Sequence, residues 1–297
     1  MGESFSRQVP QVHLNGRIVP ADQAAIGAAD AGLIHGASVF TTMLVRHGKV
    51  FRLDRHLNRL LEAAEHFALR TDLPTGQAGA TAQTLTAAVA ELLAANALTE
   101  ARMRITLTPG AVDGQGPPTT LITADPLPPQ PREWYERGVG VVISTFLQSR
   151  TDPLAGYKTG CYLPRLLARQ QAAAKGMEEA LWFTTDHLLA EACFCNVFLV
   201  REGSVLTPPL DTPVLPGIVR GAVLELCAAA GVACEDRRPL TIRDLLAAEE
   251  IFLTSAVSGI RPVVRLERHA VGGETPGSVT RKLMDAYNTL LDKECPA

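Results

Sequence analysis

Lysine is scarce in this chain: Lys49, Lys158, Lys175, Lys282 and Lys293 are the five among 28 basic residues. Four of them lie in polar, helix-surface or turn-like sequence. Lys158 differs, sitting in "LAGYKTGCYLP" with a glycine on either side and a helix-forming run just beyond. Partial desolvation beside a helix N-terminus disfavours an ammonium group, which moves a lysine toward nucleophilic, Schiff-base chemistry. A solvated loop lysine is the alternative, and these residues alone leave it open. Glu191, ahead of the apolar run "CFCNVFLV", is either an exposed strand-end carboxylate or the partner of a buried cation. Arg59 falls on the polar side of its helix, away from Leu57, Leu60 and Leu61. Arg104 shares a strand face with Thr106 and Thr108, a face that meets water or a polar cleft. In "LTPPLDTPVLPGIVRG", residues 206–221, prolines and Gly217 run into a helix starting near Ile218. Such an entry leaves free N–H groups on the Gly217–Ile218–Val219 turn, an arrangement suited to an anion.

The elements that must hold these residues follow from periodicity. "VHLNGRIVP" and "SVFTTMLVRHGKVFRL" read as hairpins turning at Asn15-Gly16 and His47-Gly48. Asp54 is placed to cap a helix carrying Leu57, Leu60, Leu61 and Ala64 at helical spacing. A second helix covers about 80–95, and "ARMRITLTPG" alternates as a half-buried strand. After a proline-rich stretch come strands at "VGVVIST", "ALWFTT", "CFCNVFLV", "SVLTP" and "EIFLTS", with helices over 163–175, from Ile218, and near 278–292. The order reads as an α/β (α+β) chain. It has a small N-terminal α+β domain over 1–125, a linker over 126–135, and a larger mixed α/β domain over 136–297.

Composition narrows the partners. The net charge is −3 across 297 residues with no long basic run, so nothing recommends a nucleic-acid or membrane surface and neither partner is expected. No apolar run reaches the ~20 residues of a membrane span. The polar start "MGESFSRQVPQ" lacks the apolar centre of a signal peptide, so a cytoplasmic location is the expectation. The six cysteines are scattered and expected reduced. Cys193 and Cys195, two apart in a strand-like run, would share a face. With no further ligand pair they read as buried small hydrophobes, and no metal is expected.

Taken together, the segments resemble a known family. "EACFCNVFLVREGSVLTPPLDTPVLPGIVR", residues 191–220, is similar to the signature of class IV (fold type IV) pyridoxal-phosphate aminotransferases: a Glu, an Asn five residues on, a "VLTP" strand, then "LPGI-x-R". "YKTGCYLPRLLARQQAAAKGMEEAL" resembles the family's Schiff-base lysine region. "GLIHGASVFTTMLVRHGKVFRLDRHLNRL" resembles its N-terminal hairpin and phosphate-arginine helix. The resemblance runs from about Val12 to Leu291.

It implies pyridoxal 5'-phosphate as cofactor, with Lys158 as the Schiff-base and proton-shuttling lysine and Glu191 paired with the pyridine nitrogen. Tyr162 would meet the ring hydroxyl and Leu215 the ring face. The phosphate would be held by Arg59, by Gly217, Ile218 and Val219, and by the turn at Ser255–Ala256. Many relatives carry hydroxyl residues where this chain has Val219 and Ala256. His35, Phe40, Thr42, Arg104 and Val257 would contact substrate.

Branched-chain enzymes of the family show a Tyr and an Arg where this chain has His35 and Leu44. "VFTT" and "SAVSGIRPV" are nearer to 4-amino-4-deoxychorismate lyases, whereas "KTGCYLPRLLA" and "ETPGSVTRKL" read like transaminases. The implied function is therefore amino transfer from an amino acid or amine to a 2-oxo acid, by a homodimer or larger homo-oligomer. A lyase releasing pyruvate and p-aminobenzoate is the alternative, and a cofactor-binding protein without turnover a third.

Overall fold

The computed structural model describes residues 9–71 and 79–297. Residues 1–8, which include most of the polar start read above, lie outside them. The chain divides into two compact units at Pro128/Pro129, inside the proline-rich stretch.

The first unit contains β1 (Gln11–Leu14), β2 (Arg17–Pro20), α1 (Ala31–Ile34), β3 (Val39–Arg46), β4 (Lys49–Val50), α2 (Leu53–His66), α3 (Ala82–Ala95), β5 (Ala101–Thr108) and β6 (Thr119–Pro126). Its strands form one antiparallel sheet in the order β2-β1-β6-β5-β3-β4. Both hairpins turn where the sequence places them. Asn15 and Gly16 in one, His47 and Gly48 in the other, all adopt positive φ, the geometry of a tight two-residue turn. On β5 the alternation holds as far as Leu107, with Met103, Ile105 and Leu107 buried between the two arginines and Thr106, and breaks at Thr108, which is buried against Asp30 instead of sharing the open face of Arg104 and Thr106. Helix α2 buries Leu57, Leu60, Ala63 and Ala64, but Asp54 does not cap it. The N-cap is Arg52, in a left-handed conformation, and Asp54 lies within the first turn, where its charge still suits the helix dipole.

The second unit contains α4 (Glu133–Glu136), β7 (Val139–Gln148), α5 (Leu163–Ala174), β8 (Glu179–Thr184), β9 (Leu189–Ala192), β10 (Asn196–Arg201), β11 (Ser204–Leu206), α6 (Ile218–Ala229), β12 (Cys234–Glu235), α7 (Ile242–Leu246), β13 (Glu250–Ser255), β14 (Gly259–Leu266), β15 (His269–Ala270) and α8 (Ser278–Glu294). The mixed sheet runs β12-β11-β10-β13-β14-β7-β8-β9, with β15 on β14.

This order places consecutive strands β9 and β10 five positions apart. Five strand spacings in a flat sheet span about 24 Å. Residues Ala192 to Asn196 can reach only about 14 Å. The sheet must therefore curl until β9 approaches β10, and a bend at Cys193–Phe194–Cys195 makes the join, closed by Ala192 N–H donating to the Cys195 carbonyl at 2.7 Å.

The strand-like reading of "CFCNVFLV" is corrected here: strand begins only at Asn196, and the two cysteines do not share a strand face. Cys193 enters a small cluster with Val142, Ala168 and Trp182, whereas Cys195 joins the main core with Leu181, Val197 and Val263. Burial pushes both thiols up to about 11, so at neutral pH they are uncharged packing groups.

A buried ion pair braces the bend. Glu179 accepts the Cys193 N–H at 3.1 Å, the Arg261 guanidinium stands 3.7 Å from the same carboxylate, and Arg261 donates to Cys195 Sγ at 3.1 Å. Burial raises the Glu179 pKa against the opposing pull of Arg261. A carboxyl raised in the fold contributes stability below its unfolded pKa, and that contribution is lost as pH climbs toward the folded value. Removing Arg261 raises the folded value further and leaves the carboxylate uncompensated. Arg261→Met should therefore cost about 3–5 kcal/mol at neutral pH, and less at a more acidic pH, where protonation of Glu179 is favoured. Urea unfolding at the two pH values measures this, and equal losses would remove Glu179 as the cause.

Candidate active site

Within the first unit the candidate residues fall into two sets. Along β3, Phe40, Thr42 and Leu44 point to one face and Thr41 to the other. Thr42 pairs with Arg104 across the strands. The Arg104 guanidinium carbon lies 3.5 Å from the Phe40 ring centroid, and its Nε donates to Thr106 Oγ1 at 3.0 Å. The open choice for this face thus resolves to a half-buried arginine stacked on an aromatic ring. On the opposite face Thr41 Oγ1 meets His56 Nδ1 at 2.9 Å and accepts from Arg59 at 3.3 Å. Arg59 is therefore half-buried against β3 rather than fully solvated. His35 caps the C-terminus of α1 and is exposed. The start of that helix is fixed by Asp30, whose buried carboxylate accepts from Gly32 N–H and from the Thr108 and Thr119 hydroxyls, each at 2.7 Å.

In the second unit, Lys158 lies in the loop between β7 and α5. Its Nζ donates to the hydroxyl of Tyr162, the N-cap residue of α5, at 3.1 Å. Glu191 sits near the end of β9 with both carboxylate oxygens engaged: Arg165 donates to Oε1 at 3.0 Å and the Leu215 N–H to Oε2 at 3.1 Å. Two residues beyond Leu215, Gly217 is the N-cap of α6, and no side chain caps this helix. The first intrahelical bond runs from Gly221 N–H to the Gly217 carbonyl. Ile218, Val219 and Arg220 thus hold the opening N–H donors, with the positive end of the helix dipole behind them.

The signature residues explain how that turn is held. Asn196 donates from Nδ2 to the Leu215 carbonyl at 2.8 Å, and a Cβ on Gly217 would collide with the Asn196 amide oxygen. The buried Arg220 anchors the same segment through Pro208 O at 3.2 Å and Asp236 at 3.3 Å. Val219 is fully buried, so this chain offers backbone rather than side-chain donors at that position. Ser255 closes a turn by accepting the Ser258 N–H at 3.3 Å, and Ala256 and Val257 form that turn.

Sequence reasoning missed Arg165 and Gln148. Arg165 stands three residues after Tyr162, a spacing that puts both on one side of a helix turn, and that spacing was the available signal.

A carboxylate and an uncapped helix start are thus tied together through Leu215, and Lys158 stands on the loop that leads into α5. The amino-transferase class IV family model matches residues 38–266. The chain belongs to that family and is an aminotransferase. It is 29% identical to a putative branched-chain-amino-acid aminotransferase of Methanocaldococcus jannaschii, over 95% of this chain and 97% of that one. It is 27% identical to a D-alanine aminotransferase of Bacillus licheniformis, over 95% and 98%. The crystal structure of the Escherichia coli branched-chain amino acid aminotransferase superposes with a TM-score of 0.87 at 25% identity, covering 97% of this chain and 96% of that one. Among the described residues no helix is long and apolar enough to cross a membrane.

Gly217→Ala should destabilise the second unit by about 1–3 kcal/mol through overpacking. Asn196→Ala removes the side chain it strikes, so the double variant should lose less than the two single losses added together. Thermal unfolding of the three variants tests this, and simple additivity would mean that Asn196 is not what forbids a side chain at position 217.

Proposed function

We propose that the chain binds pyridoxal 5'-phosphate at Lys158 and transfers amino groups from an amino-acid donor to a 2-oxo acid. The observation that carries this reading is the link from Glu191 through Leu215 to the uncapped start of α6, which sets a carboxylate and a cluster of N–H donors in one short stretch. The cofactor, when bound, supplies an aldehyde for amine exchange and a ring that withdraws electrons. Ile218 and Val219 would receive its phosphate on backbone N–H groups, with Gly217, whose own N–H is donated to the Leu215 carbonyl at 2.8 Å, shaping the turn beneath it. Glu191 would meet its ring nitrogen, with Tyr162 and Leu215 beside the ring. Lys158 Nζ would hold it covalently and, once released by the donor, carry a proton from the donor α-carbon. The Tyr162 hydroxyl, in place at 3.1 Å, fixes where that amine returns.

The family pattern extends the proposal to Arg59, Ser255 and Ala256 as phosphate partners, and to His35, Phe40, Thr42, Arg104 and Val257 as substrate contacts. Arg104 is the natural receiver of a substrate carboxylate, since a guanidinium matches a carboxylate with two parallel donors. The relatives' names favour branched-chain amino acids as donors. The family pattern also supports a homodimer, and the sequence a cytoplasmic location.

The test is the visible spectrum of the chain reconstituted with the cofactor, followed as single donors are added without acceptor. L-leucine, L-valine, D-alanine, (R)-1-phenylethylamine and aminodeoxychorismate make up the panel. Bleaching of the visible band by a branched-chain L-amino acid is expected, and its loss in Lys158→Ala. Bleaching by D-alanine alone would reverse the handedness. A band that ignores every donor, with p-aminobenzoate released from aminodeoxychorismate, would make the chain a lyase.

Arg104→Leu should raise KM for the amino-acid donor by about 100-fold, the equivalent of losing one charge-assisted pair of about 2–3 kcal/mol. The rate with an amine lacking a carboxylate should change little. Equal losses on both donors would take Arg104 out of carboxylate recognition.

A further inference from the structure

Glu191 does not stand alone. Arg165, in the first turn of α5, donates from Nη2 to Glu191 Oε1 at 3.0 Å and to Gln148 Oε1 at 2.6 Å, and from Nη1 to the Ala192 carbonyl at 3.0 Å. Its guanidinium carbon lies 4.3 Å from the Trp182 ring centroid, and Trp182 is stacked in turn on Phe146. Gln148 passes the connection on by donating Nε2 to the Pro213 carbonyl at 2.5 Å. Pro213 leads through Val214 to Leu215, whose N–H returns to Glu191 Oε2. The bonds close into a ring: Arg165, Glu191, the segment 213–215, Gln148, and back to Arg165.

The ring fixes direction as well as place. The Arg165 and Glu191 side chains are only 17% and 13% exposed, so water competes weakly for either partner. A planar guanidinium held by three acceptors and a stacked indole has little rotational freedom left. Each Glu191 oxygen has accepted one bond and keeps one lone-pair direction for another donor. The same α5 turn carries Tyr162, the partner of Lys158, three residues before Arg165. One helical turn therefore sets the positions of the amine and of the carboxylate.

We propose that Arg165 is a positioning residue that, with Gln148, aims the Glu191 carboxylate at the cofactor's ring nitrogen. The proposal rests on the cofactor reading above. Its consequence is that the ring's positive charge depends on Arg165 through Glu191, not only on Glu191.

The measurement is titration of cofactor-free chain with pyridoxal 5'-phosphate, together with the pH titration of the resulting visible band, for native chain, Arg165→Met, Glu191→Gln and the double variant. Arg165→Met should weaken cofactor binding about tenfold, as loss of an outer partner does at a metal site. It should also move the band's midpoint up by about one pH unit, because the ring charge that depresses it is less firmly held. In the Glu191→Gln background the same substitution should change affinity less than about twofold. Arg165→Lys, which keeps the charge and loses the fork, should recover only part of both effects.

Native affinity and midpoint in Arg165→Met would overturn the proposal. So would an undiminished loss in the Glu191→Gln background, which would make Arg165 a structural residue acting by another route. Should Arg165→Met fail to fold, Gln148→Leu opens the ring at its neutral member. It should shift affinity and midpoint in the same direction, and native values in both would again overturn the proposal. A native chain with no visible band, or a Lys158→Ala variant that keeps it, would instead sink the cofactor reading.

Discussion

The second unit depends on a three-residue bend. Its strand order separates β9 from β10 by five positions, and the chain between them is too short to cross a flat sheet. Curling the sheet brings Glu191, one residue before the end of β9, and Asn196, the first residue of β10, to either side of the same bend. Both then reach Leu215, Glu191 through its N–H and Asn196 through its carbonyl. The five-residue spacing of the signature is thus a geometric requirement: one residue on each side of the bend grips the same peptide segment. The buried Glu179–Arg261 pair holds the bend from beneath, bonding to the N–H of Cys193 and the sulfur of Cys195. Such a pair costs desolvation energy, so its value is in fixing geometry more than in net stability.

The candidate site divides its work between backbone and side chains. In the proposed function anion recognition would fall to the start of α6, where Gly217 allows close approach of Asn196 and no side chain caps the helix. Backbone donors are set by the helix itself and carry almost no conformational entropy to be lost on binding. In the same proposal side chains would take the roles that need charge or proton transfer. Each is immobilised by a partner: Lys158 by Tyr162, Glu191 by Arg165, Arg104 by the Phe40 ring.

Much of this was legible in the sequence because it is local. The two hairpins follow from Asn15-Gly16 and His47-Gly48, the strand β5 from alternation at Met103, Ile105 and Leu107, and α6 from Gly217 ahead of an apolar run. Where the reading failed, a long-range demand prevailed over a local preference. The residues Cys193–Phe194–Cys195 have strand-like composition, yet the sheet order requires a bend there. Asp54 is a good cap by type, but the tight hairpin before it puts Arg52 in a left-handed conformation and starts the helix early. β6, β9 and β14 went unread because the first lies in a threonine-rich run, the second is four residues long, and the third carries a proline and two arginines. Arg165 was invisible for a different reason: an arginine in a helix first turn looks solvated until the strands it reaches are in place.

The aliphatic residues at 219 and 256 fit this division. A hydroxyl at 219 would add a donor to an anion, yet Val219 is 2% exposed and its side chain is packed in the interior. A branched apolar group there stiffens the first turn of α6 and spares the fold a buried hydroxyl that would need its own partner. If the proposed function holds, the helix start would be the main anion contact of the second unit, and its geometry depends on Asn196, Gly217 and Arg220 holding the turn in place. On the proposed reading these three residues act by holding the turn, and all three lie in the segment that resembles the family signature.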